Sequence, residues 1–248
     1  MQQKGKRTTV RQLSLRRLLT ARSLLWAVSL LCTGQLAFSQ TDQDLASAFY
    51  QGAANNCASV ALIKAAMVRY GYNNMFQAVK QGDFYNITLQ DGHKFSVSDD
   101  ELQLAKSFSK FELTDSVNGF QRDSVVFYGY LAYACIAKYI QLYGYWECEE
   151  QRNLHVRAKG DFRKSLYFIS RTSYCTDNCY KLLGLKIKEG KIFDYTNTSS
   201  LTDKGIILYS PAHAVAVVNN MIDCHGNWIP ATTAKICYNE FKWFIILN

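Results

Sequence analysis

Three residues in this chain have the types and spacing needed for acyl transfer. Cys57 opens a run in which apolar Val60, Ile63, Met67 and Tyr70 recur at three- and four-residue intervals. That spacing predicts a helix, with Asn55 and Asn56 as N-cap residues and Gly71 as its stop. A thiol at a helix N-terminus meets the positive end of the helix dipole and unpaired N–H groups, and both favour the nucleophilic thiolate. Gln51 lies six residues upstream, within reach to join its side-chain amide to the Cys57 backbone N–H around the oxyanion of a tetrahedral intermediate. His213 opens the apolar run Ala-His-Ala-Val-Ala-Val-Val, 156 residues after Cys57, where an imidazole can face a cleft while its strand anchors the core. Such an imidazole is the partner a cysteine nucleophile needs.

The remaining elements frame these three. Phe84–Leu89 and His93–Val97 read as a hairpin turning at Asp91-Gly92. Ser98-Asp-Asp-Glu101 opens a helix to about Phe108, with a serine cap and acids in its first turn. Val125–Tyr143 reads as a long apolar helix; Lys138 and Gln141 interrupt it, so a buried core helix fits better than a membrane span. Residues 147–200 are mixed in polarity, with a short helix near Lys181–Leu185. Gly205–Tyr209, Ala212–Val218 and Phe241–Leu247 read as strands, with Asn219-Asn220 as a hairpin turn. Helices come first and strands last without alternation, which gives an α+β class.

At 248 residues and 48% hydrophobic, the chain excludes disordered and low-complexity classes. The net charge of +8 is a property of the front end. Residues 1–39 carry seven basic residues and no acidic one, leaving 21 of the 28 basic residues against all 20 acids. No nucleic-acid surface follows from that balance. The basic segment ends at Arg22, an apolar run follows to Thr33, and Ala37-Phe38-Ser39 offers small residues before a cut at Gln40. This is the pattern of a signal peptide. The expectation is a signal over 1–39 and one exported domain over 40–248, secreted or periplasmic, without a stable membrane span after cleavage. An uncleaved anchor is the minor alternative.

Export puts the seven cysteines remaining after residue 39 in an oxidising compartment, where an odd count implies a free thiol. Three disulfides with Cys57 left reduced is the simplest arrangement, and Cys224 with Cys237 is one possible pair. Cys175 and Cys179 form a Cys-x-x-x-Cys pair, but one such pair lacks the four ligands of a structural zinc site. No metal or organic cofactor is expected. His93, His155 and His225 read as surface residues.

Gln51-Gly-Ala-Ala-Asn-Asn-Cys57 followed by a helix, with Ala212-His213-Ala-Val-Ala-Val downstream, resembles the papain-like cysteine peptidase superfamily, nearer to calpain-type and divergent bacterial members than to papain. The motifs cover some 35 residues, and the middle of the chain matches nothing in the family. The resemblance implies a two-lobed fold, with a helical lobe led by the nucleophile helix and an antiparallel β lobe carrying the histidine. It also implies Cys57 as nucleophile, His213 as base and then acid, Gln51 as oxyanion donor, and a peptide or protein substrate. Alanine follows Cys57 where the family often has tryptophan. The residue that orients the imidazole stays open. A tight turn at Asn219-Asn220 sets His213 opposite Gly226–Asn227, and Asn227-Trp228 is similar to the family's Asn followed shortly by Trp. Asp223 is the second candidate, opposite Ala216 in that register, and Asn239 the third, if a longer insertion intervenes. A transglutaminase or acyltransferase using the same Cys–His pair, and a non-catalytic exported binding module, are the rival readings.

Overall fold

A computed structural model describes residues 41–114, 119–145, 158–171, 176–193, 199–236 and 241–248. By its contacts the chain divides into Met1–Gln40 and Thr41–Asn248, and everything below concerns the second unit. The expected signal segment, His155, Asn239, Cys148, Cys175 and Cys237 lie outside the described residues.

The chain enters through α1 (Asp42–Ser47), closed at its start by a Thr41–Asp44 capping box, and β1 (Phe49–Gln51). Then comes α2 (Cys57–Tyr70), whose end is fixed by Gly71: its φ of 86° suits glycine, and its N–H donates to the Met67 carbonyl at 2.8 Å. α2 is buried from Cys57 to Val68 on every side rather than along one stripe, which makes it the central helix of the fold. β2 (Gln77–Gln81), β3 (Phe84–Thr88) and β4 (Lys94–Ser98) form a three-stranded antiparallel sheet that contains the expected hairpin. Ser98 and Glu101 make the capping box of α3 (Asp99–Ser109), and β5 (Phe111–Leu113) returns to pair antiparallel with β1.

α4 (Gly119–Tyr143) is long and apolar enough to cross a membrane by composition, yet here Leu131 to Ala137 are fully buried within the protein core. α4 packs against α3 and α5 (Phe162–Arg171), and a 3₁₀ helix over Thr176–Leu183 follows. The last third is a six-stranded antiparallel sheet of β6 (Ile187–Ile192), β7 (Ile206–Tyr209), β8 (Ala214–Val218), β9 (Met221–Cys224), β10 (Asn227–Pro230) and β11 (Trp243–Leu247). Its spatial order is β10-β9-β8-β7-β11-β6. One face, with Ile207, Ala214, Ile245 and Leu247, packs on the helical core; the other, with Leu208, Val215, Val217, Ile222 and Phe244, buries a second cluster. Both faces are covered, which is why these strands read as unbroken apolar runs. Helices and antiparallel sheets together make the class α+β.

Asn219 and Asn220 turn between β8 and β9 with φ of 51° and 62°. Two consecutive residues at positive φ make a tight hairpin turn whose twist matches the strands. The register is the expected one, Val218 facing Met221 and Val217 facing Ile222.

Candidate active site

The loop that delivers Cys57 is fixed by its surroundings. β1 is anchored by Phe49, which is fully buried and stacks on Phe111 at 4.6 Å between ring centroids. Beyond Gln51 the chain passes so close to Lys110 that a Cβ on Gly52 would sit 2.1 Å from the Lys110 carbonyl oxygen; only glycine fits there. The Gln51 side chain donates through Nε2 to the Ala54 carbonyl at 2.8 Å, and the Asn55 N–H donates to the Ser170 carbonyl at 3.0 Å. Asn56 holds the N-cap position, but its side chain does not cap; Nδ2 donates instead to the Ser109 carbonyl at 2.7 Å.

Burial pushes the Cys57 thiol up from its ordinary range. The backbone N–H groups of Ala214, Ala58 and Cys57 interact with the sulfur and pull the other way without overcoming it. This corrects the expectation that the helix terminus would favour thiolate. With only 6% of Cys57 exposed, desolvation of the charge outweighs the dipole. The Ala214 interaction also fixes a geometric fact, because it brings the start of β8 against the nucleophile helix.

His213 sits in the turn joining β7 to β8. The Ser210 N–H donates to the His213 carbonyl at 2.8 Å, and Ser210 Oγ accepts from the His213 and Ala212 N–H groups at 3.2 and 3.3 Å. One serine therefore clamps the turn from both sides. The imidazole is partly buried, its ring centroid 6.3 Å from those of His225 and Phe241. Burial is the main cause of its basicity falling to about 4; the charge of His225 lowers it further and that of Asp223 raises it.

Asp223, on β9, is buried and held from two sides. It pairs with Lys64 Nζ, and its Oδ1 accepts the Gly226 N–H at 2.8 Å. Lys64 lies on α2 two turns beyond Cys57, on the same face of the helix, and is 1% exposed. Burial drives its pKa down, and Asp223 pulls it back. The Phe49 and Trp228 rings flank its ammonium at 5.5 and 5.6 Å.

Gln51, Cys57, Lys64, His213, Asp223 and His225 line one cavity of about 10 Å³, at the lower limit for a single water. Of the residues singled out from sequence, Gln51, Cys57, His213 and Asp223 are thus brought together. Asn227 is not: it is exposed, and it faces Cys224 across the β9–β10 pair. The β8–β9 register is the expected one, but β9 reverses at His225-Gly226, with φ of 49° and 85°, before Asn227 can reach His213. Asp223, on the same sheet face as Ala214 and Ala216, lines the cavity instead. His225 is exposed, as expected, yet it also forms the cavity rim. Three contributors escaped the sequence reading: Lys64, Ser210 and the rim role of His225. Lys64 had left a signal, as the single charge inside the helix before its last turn.

The cysteines also depart from the expected pairing. Cys57 and Cys135 both carry free, buried thiols, so the chain does not resolve into three disulfides and one reduced nucleophile. Cys135 lies in the middle of α4, fully buried, and burial pushes its thiol far up. Among the described residues no cluster of His, Cys, Asp or Glu is arranged to hold a metal ion.

No protein-family model, curated protein or solved structure matches this chain.

Proposed function

We propose that this chain is an exported cysteine hydrolase, a peptidase that cleaves amide bonds through a Cys57 thioacyl intermediate. The observation that carries the reading is the single cavity into which three separate elements deliver Gln51, Cys57 and His213. The raised thiol and weakly basic imidazole describe a neutral resting pair rather than a preformed thiolate–imidazolium. His213 then works as a general base. It takes the Cys57 proton as the sulfur attacks the scissile carbonyl, and the imidazolium so formed is stabilised by the Asp223 carboxylate.

The developing oxyanion lies toward the Cys57 N–H and the second Nε2 proton of Gln51, the first being spent on Ala54. His213 returns its proton to the leaving amine, and water attacks the thioacyl carbon by the reverse path. At about 10 Å³ the cavity is too small at rest for a peptide group, so substrate entry must widen it. The helical half led by α2 and the six-stranded sheet serve as the two lobes of a papain-like arrangement, with Asp223 as the orienting residue. Export follows from the front-end pattern, and a secreted or periplasmic enzyme is the corresponding location.

The test is hydrolysis of a fluorogenic peptide library by the purified protein. Wild type should release product, Cys57→Ala should release none, and Asp223→Asn should lose far more activity than Asn227→Ala. A Cys57→Ala protein as active as wild type overturns the reading. Aminolysis outrunning hydrolysis when an amine acceptor is added would turn it to acyl transfer.

A further inference from the structure

Beside the nucleophile loop lies an open groove of about 730 Å³, lined by Ala53, Ala54 and Asn55 of that loop, by the end of α3, and by the end of α5. Asn55 precedes Cys57 by two residues, so their Cα atoms are at most about 7 Å apart. The residues flanking a carbonyl that reaches Cys57 are therefore within reach of this groove.

Among the described residues the groove's charge has one sign. Lys110, just after α3, and Arg171, at the end of α5, are both exposed, and no described acidic residue lines the groove. Neither cation pairs with a carboxylate among the described residues. Arg171 is held at its guanidinium and Lys110 at its backbone. Lys110 closes α3 in a left-handed conformation (φ 49°), its carbonyl packed on Gly52. The Arg171 guanidinium lies 4.7 Å from the Tyr167 ring, and its Nη1 donates to the Tyr167 hydroxyl at 3.1 Å. Glu112, beyond Gly52, does not line the groove, and its Oε2 is engaged by the Tyr50 hydroxyl at 2.8 Å. Tyr167 and Phe108 supply apolar surface in the same groove.

We propose that this groove is a substrate subsite for a peptide carboxylate, an acidic side chain or a chain terminus, gripped between Lys110 and Arg171 with its neighbouring carbons against Tyr167 and Phe108. The assignment of its occupant as substrate rests on the hydrolase reading; the binding itself does not. Two exposed cations acting on one anion should give a modest, salt-sensitive preference.

The experiment measures binding of fluorophore-labelled octapeptides to Cys57→Ser protein, which cannot turn over, alongside hydrolysis by wild type. One peptide is neutral with an amidated end, one neutral with a free C-terminal carboxylate, and one carries internal Glu with an amidated end. At low salt, a carboxylate-bearing peptide should bind about five- to tenfold tighter than the neutral one, with the difference fading toward 0.5 M salt. The peptide that gains identifies the carboxylate's source. Lys110→Gln/Arg171→Gln should erase the preference, and Lys110→Glu/Arg171→Glu should transfer it to a Lys-containing peptide. Equal affinities for all three peptides, or a preference that survives both double variants, would overturn the proposal. Retained carboxylate preference in a protein whose wild type hydrolyses nothing would uphold the groove and sink the hydrolase reading.

Discussion

At the scale of single residues, the neutral Cys57–His213 pair makes the strongest demands. His213 must be uncharged to accept a proton, and its basicity is lowered to about 4. The rate of peptide cleavage should therefore rise through pH 4 and hold level across neutrality. Iodoacetamide reads only the resting thiolate, so labelling of Cys57 should be slow at pH 6 and still increasing beyond pH 9. A thiol that alkylates fully below pH 7 would contradict the burial account. The same imidazole leaves a mark on stability. An unfolded histidine titrates near 6.5, so between pH 6.5 and about 4 the unfolded chain binds a proton that the folded chain does not. Stability should be unpenalised above that window and fall by roughly 3 kcal/mol as pH drops through it. Urea titrations of wild type and His213→Asn should differ in slope over that range and run parallel above it. Gln51→Ala, lacking the proposed oxyanion donor, should lose about 10²- to 10³-fold in kcat with KM little changed.

At the scale of elements, the site depends on α2 and β9 being locked together by a buried ion pair. Lys64→Met leaves Asp223 buried and uncompensated, which should cost about 3–5 kcal/mol in urea denaturation. Lys64→Met/Asp223→Leu should regain most of that stability while remaining inactive, because the group proposed to orient His213 is gone. Recovery of activity in the double variant would remove Asp223 from the mechanism. Gly52→Ala drives a methyl group into the Lys110 carbonyl. Displacing the Gln51 loop should cost about 10²-fold in kcat/KM, a larger loss than its effect on the denaturation midpoint accounts for.

These elements also show what could be read from sequence. The ends of α2 were legible because apolar spacing, Asn and Gly71 agreed, and the β8–β9 turn because Asn219-Asn220 tolerates positive φ. β2 was not, since Gln77–Gln81 is mostly exposed and carries no apolar alternation. α5 lay hidden in a stretch of mixed polarity. Within the site, Gln51, Cys57 and His213 stood out by type and spacing. The choice of Asp223 over Asn227 turned on where β9 reverses, and His225 in a left-handed conformation gave no warning of that.

At the scale of the whole molecule, two halves of the chain that share no local sequence signal meet at one cavity. The sheet carries His213 and Asp223, the central helix carries Cys57 and Lys64, and β8 packs directly along α2. The fold also places these two thiols differently, with Cys57 at a cavity wall and Cys135 sealed inside α4. Native protein should therefore yield no modification of Cys135 under conditions that modify Cys57, and urea should expose both. The most direct test of the central claim is covalent capture by a peptidyl acyloxymethyl ketone at neutral pH, followed by intact mass and peptide mapping. The account predicts one adduct, on Cys57, formed at least about 10²-fold more slowly in His213→Ala. An adduct on any other cysteine, no adduct, or an unchanged rate in His213→Ala would contradict it.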